Sequence, residues 1–122
     1  MIALLKTLFG FGGEQVSVQQ ALQRINAGAL LLDVREPGEF NAGHALDAQP
    51  LPLDRIRAQR HAALAALPAH NGELLLICHS GVRSRLAQNL LGQRQDCRCI
   101  NVRGGMAAWA AAGLPMSRAT SS

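Results

Sequence analysis

Apolar and polar positions along the chain alternate between two periods. "ALLLDV" and "ELLLIC" are short runs that are apolar on nearly consecutive positions, and "CRCINV" reads as a third strand. Such runs suit strands of a parallel sheet covered on both faces. Between them lie stretches of helical period: "SVQQALQRINAG", with Ser17 as N-cap and Gly28 as stop, "LDRIRAQRHAALAAL", ended by Pro68, "RSRLAQNLLGQ", and "GMAAWAAAG". "QVSV" is a further short strand, and "EPGEFNAGH" a turn with one short helix. No repeat, linker or low-complexity tract interrupts the series. Alternation of this kind predicts an α/β layer fold: a mainly parallel sheet of about five strands with helices on both faces.

Ligands of such folds sit beyond the carboxyl ends of the strands. That places "DVRE", "CHSGVRS" and "VRGG" at one rim. The second carries the most chemistry. A cysteine between a strand end and a helix start lies among unsatisfied N–H groups and the positive helix terminus. Both favour thiolate over thiol, and the same N–H groups make a seat for an anion. Gly81 lets the loop turn, Ser80 and Ser84 offer hydroxyls, with Ser84 also a candidate helix cap, and Arg83 adds fixed charge. An inert buried cysteine is the bland alternative; the company of Gly81, Ser84 and Arg83 favours a reactive Cys78. For Arg83, bracing the loop and touching substrate are both open. His79 reads as an exposed loop residue. Asp33, Arg35 and Glu39 read as a capping and ion-pair network, Asp33 accepting loop N–H bonds or pairing with an arginine, and Glu39 pairing with Arg35 or with Arg83.

Composition narrows the rest. At 122 residues, 48% of them hydrophobic and 16% charged, the chain is long enough for one compact domain without disulfides or metal. A net charge of +4 raises nucleic acid as a partner, but the arginines are scattered and aromatics are only 3%, so no nucleic-acid role is expected. Three cysteines (Cys78, Cys97, Cys99) and four histidines (His44, His61, His70, His79) show no metal-ligand spacing. Cys97 and Cys99 share one face of their strand and read as small apolar residues. Residues 1–13, "MIALLKTLFGFGG", are too short and too interrupted by Lys6 for a membrane span or a signal peptide. They read as a short amphipathic segment packed on the domain, with a homodimer contact or a membrane-surface contact as alternatives. Residues 14–118 form the domain and 119–122 a tail, and a cytoplasmic protein is expected.

From about Glu14 to Ser117 the chain resembles the single-domain rhodaneses, or rhodanese-like sulfurtransferases. "LLDVREPGEFNAGHA" is similar to the first family signature, "ICHSGVRS" to the active-site loop, and "VRGGMAAW" followed by "AAGLP" to the C-terminal signature. "PLPL" falls where the family often has an apolar-proline stretch. The resemblance implies the rhodanese three-layer fold and a sulfurtransferase without metal or organic cofactor. Cys78 would take the sulfane sulfur of a small anionic donor such as thiosulfate as a persulfide. His79, Ser80, Gly81, Val82, Arg83 and Ser84 would cradle it, with Asp33 and Arg35 in support. A thiol, a protein or cyanide would then accept the sulfur. A sulfur-relay module with protein partners is the alternative, and shares the same cysteine. Phosphatases and arsenate reductases of this fold carry a longer loop than the four residues "HSGV" between Cys78 and Arg83. His44 in "NAGHA" implies a structural hydrogen bond, and Trp109 packs the last helix. One departure stands out: the family usually has glycine near position 47, where this chain has Asp47.

Overall fold

The computed structural model describes residues 13–92, 94 and 96–118. The apolar N-terminal segment, apart from Gly13, and the tail from 119 lie outside the described residues.

The elements follow in order: β1 (Gln15–Val16), α1 (Val18–Asn26), β2 (Leu30–Asp33), α2 (Pro37–Ala42), β3 (His44–Ala45), β4 (Gln49–Pro50), α3 (Leu53–Gln59), a 3₁₀ helix (Arg60–Leu64), β5 (Glu73–Ile77), α4 (Val82–Leu91), β6 (Arg98–Val102), α5 (Gly105–Ala111) and β7 (Met116–Ser117). Five strands make one sheet in the order β1-β6-β5-β2-β4, and every pair is parallel. β3 and β7 pair separately and antiparallel.

Strand alternation builds the three layers. Leu31, Leu75, Ile77, Ile100 and Val102 point to one face, where Val18 and Ala21 of α1 and Met106 and Trp109 of α5 cover them. Leu32, Leu74, Leu76, Cys78 and Cys99 point to the other, under Leu53 and Ile56 of α3 and Ala87 and Leu91 of α4. The central strands are thus buried on both faces, which is why they read as unbroken apolar runs. Each fully buried leucine contributes about 2 kcal/mol.

Ser17 caps α1 through a capping box with Gln20, as the sequence predicts. Two expectations fail locally. The single helix expected over "LDRIRAQRHAALAAL" is broken at Arg60, whose φ of +52° stops α3 before the 3₁₀ turn begins. Ser84 is not the cap of α4: Gly81 takes that place in left-handed geometry, φ +103°, and Ser84 lies inside the first turn. At the departure from the family pattern, Asp47 adopts φ +68°, the left-handed conformation that glycine takes without cost.

Candidate active site

Cys78 immediately follows β5 and is 1% exposed. The chain then turns through His79, Ser80 and Gly81 into α4. Gly81 N–H donates to Cys78 Sγ at 3.1 Å and Ser84 N–H at 3.3 Å, and the Ser84 hydroxyl lies 3.3 Å from the same sulfur. The loop can turn its N–H groups inward because its carbonyls are claimed elsewhere. Met106 N–H donates to the Cys78 carbonyl at 2.7 Å, and Ala107 N–H to that of His79 at 3.0 Å. The first turn of α5 therefore anchors the loop from behind. Gly105 permits this approach: a Cβ there would overlap the carbonyls of Cys78 and His79, and φ is +54°.

The electrostatics follow from these contacts. Burial pushes the Cys78 thiol up. The Ser84, Gly81 and Ser80 N–H groups, together with the Ser84 hydroxyl when its proton turns to the sulfur, outweigh it, and the net pKa is lowered. The other two thiols move the opposite way. Burial raises Cys97, and burial pushes Cys99 up to about 12. Cys99 pairs in register with Leu74, four residues before Cys78, roughly 13 Å along the strand. It sits at the far end of the sheet from the loop.

The three predicted rim segments do meet. Asp33 is fully buried and grips Arg35 through the backbone N–H at 3.0 Å and the guanidinium at 2.8 Å. Arg35 also donates to the Gly43 carbonyl at 2.7 Å. Arg83 forms a two-pronged pair with Glu39, at 2.6 and 2.9 Å. The Arg83 hydrogen bond holds Glu39 at a pKa of about 2. Both arginines are thus neutralised by carboxylates, and Arg83 braces the loop against α2. His79, Ser80 and Val82 are exposed at its crest. Ser80, Gly81 and Val82 border a recess of about 260 Å³ with Gln15, Arg85, Asn101 and Arg103. Arg85 and Arg103 have no carboxylate partner among the described residues, so they carry the uncompensated positive charge beside the loop. His44 makes the expected structural bond, its Nδ1 lying 2.8 Å from the Phe40 carbonyl, with the two rings stacked. Trp109 is 1% exposed and donates to the Pro115 carbonyl.

The residue that the sequence pattern did not bring forward is Asn101. It is 1% exposed on β6, and its Oδ1 accepts the Ser84 hydroxyl proton at 2.5 Å. A polar side chain inside the apolar run "CINV" was the available signal. Among the described residues no group of three metal-ligating side chains forms, and no helix is long and apolar enough to cross a membrane.

Comparison with known proteins identifies the lineage of this loop. The family model for the Rhodanese-like domain matches residues 17–112. The chain belongs to the rhodanese-like family. It is 37% identical over 87 residues to a sulfurtransferase of Allochromatium vinosum, covering 71% of this chain and 77% of that one. It is 35% identical over 107 residues to the chloroplastic thiosulfate sulfurtransferase 16 of Arabidopsis thaliana, covering 82% and 89%. Other relatives are longer: this rhodanese-like chain spans 60% of a Bacillus subtilis relative and 45% of one from Synechocystis. The crystal structure of a rhodanese-related protein from Thermoplasma volcanium superposes with a TM-score of 0.71 at 24% identity, covering 86% of this chain and 98% of that one. That likeness shows the rhodanese fold.

Proposed function

We propose that this rhodanese-like protein is a sulfurtransferase that carries a sulfane sulfur as a persulfide on Cys78. The observation that supports this is the cradle: backbone N–H groups from Gly81 and Ser84 converge on a buried sulfur whose pKa they lower. The thiolate attacks the outer sulfur of an anionic donor such as thiosulfate. The new S–S bond forms at Cys78 as the donor's S–S bond breaks, and sulfite leaves with the electron pair. An acceptor thiolate, or cyanide, then attacks the outer sulfur and Cys78 departs as thiolate. No proton, metal or redox partner enters the balance. Arg85 and Arg103 give the approaching anion its charge complement, since Arg83 and Arg35 are already paired. Cys97 and Cys99 take no part, being raised in pKa and remote from the loop.

Steady-state kinetics with thiosulfate and cyanide test the reading. Covalent transfer predicts parallel double-reciprocal lines, lost in Cys78→Ser. Turnover supported by a protein persulfide but not by thiosulfate would favour a relay module. Cys78-dependent hydrolysis of an aryl phosphate would overturn the assignment.

A further inference from the structure

Ser84 has one hydroxyl proton and two acceptors to serve. Its oxygen stands between Cys78 Sγ and Asn101 Oδ1, and the proton is directed at Asn101. Ser84, Cys78 and Asn101 are all at most 1% exposed, so they satisfy one another rather than bulk water. With its proton on Asn101, Ser84 turns a lone pair toward the sulfur. That arrangement accepts from a thiol but opposes a thiolate. Ser84 can stabilise the thiolate through its hydroxyl only by withdrawing the proton from Asn101, which leaves a buried amide oxygen unpaired. The sheet holds Asn101 in place, since its N–H donates to the Glu14 carbonyl at 3.0 Å and it pairs in register with Gln15 and Leu76.

We propose that Asn101 is a positioning residue that acts through Ser84 to keep the Cys78 thiolate from being over-stabilised. The proposal rests on the persulfide reading above and deepens it. A thiolate whose pKa falls too far is a weaker nucleophile, with rate following pKa at a slope of about 0.4–0.5. The loop N–H groups stabilise the thiolate directly, and Asn101 withholds the share that the Ser84 hydroxyl would add. The other charged and titratable groups around the sulfur are the Asp33–Arg35 pair beyond β2, the Glu39–Arg83 pair from α2 and α4, and His79 and Arg103 at the rim. All remain in place in the variants compared.

The test is a double-mutant cycle on two readouts: thiolate absorbance against pH, and the pH profile of single-turnover sulfur loading from thiosulfate. Asn101→Leu frees the Ser84 proton for sulfur. The Cys78 midpoint is expected to fall by about one unit, and the high-pH loading rate by about threefold. In a Ser84→Ala background the same substitution is expected to change neither. Asn101→Asp, close to isosteric and so the safeguard should Asn101→Leu fail to fold, is expected to raise the midpoint, and by less without Ser84. An unchanged or raised midpoint in Asn101→Leu, an equal fall without Ser84, or no rise in Asn101→Asp would overturn the proposal. If neither thiosulfate nor a protein persulfide loads sulfur on the wild type, the persulfide reading fails, while the absorbance titration still decides the role of Asn101.

Discussion

Gly105→Ala is the substitution that most sharply separates this account from one in which α5 is merely a neighbour of the loop. A Cβ at Gly105 would collide with backbone, the Cys78 and His79 carbonyls, and backbone cannot swing aside as a side chain can. Relief requires α5 to withdraw from the loop. That costs the two hydrogen bonds from Met106 and Ala107, at about 1 kcal/mol each, and a left-handed alanine costs about 1 kcal/mol more. The expected destabilisation is about 3 kcal/mol, or a fall in Tm of roughly 10 °C for a domain of this size. Gly113→Ala is the matched control: φ there is +69°, but nothing lies within 4 Å of the added methyl. It carries only the conformational penalty, about 1 kcal/mol. Thermal melts of both variants isolate the contact with the loop. Because the same carbonyls hold the N–H groups toward the sulfur, sulfur loading in Gly105→Ala should drop roughly a hundredfold, as for other misplacements near 1 Å. Equal stability of the two variants, with normal loading in Gly105→Ala, would refute the claim that α5 shapes the cradle.

Three further outcomes are expected. Asp33→Asn leaves the buried Arg35 guanidinium without its counter-charge, so denaturant melts should show a loss of about 3–5 kcal/mol. Asp47→Gly relieves a left-handed non-glycine residue and should raise stability by up to about 1 kcal/mol; no gain would mean that the Asp47 side chain compensates its own strain. The rate of sulfur loading should rise with pH through a midpoint below that of an ordinary thiol, measured on a free cysteine thiol alongside, because the Cys78 pKa is lowered and the thiolate is the reacting form. A midpoint above that of the free thiol would contradict the cradle's electrostatics.

Much of this arrangement was legible in the chain, for identifiable reasons. Leu30 to Asp33 and Glu73 to Ile77 lie at the centre of a sheet covered on both faces, so burial leaves no polar alternation and the strands announce themselves. Cys78 stood out because strand, cysteine, glycine and helix succeed one another within a few residues. What failed were features set by distant contacts. β3 and β7 are two residues each and exist only because they meet across the fold. The break at Arg60 comes from a backbone turn that no glycine or proline marks. The partner of Arg83 lies 44 residues away, so whether Glu39 would pair with Arg83 or with Arg35 could not be decided locally. Asn101 acquires meaning only when β6 lies beside β5 and brings its amide to Ser84, 17 residues earlier in the chain.

The central claim is that Cys78 holds the transferred sulfur, and intact mass spectrometry tests it most directly. The purified protein is weighed before and after incubation with thiosulfate, alongside Cys78→Ala. The account predicts a gain of one sulfur atom that cyanide removes and that Cys78→Ala never shows. A gain that persists in Cys78→Ala, or no gain from thiosulfate or any persulfide donor, would contradict it.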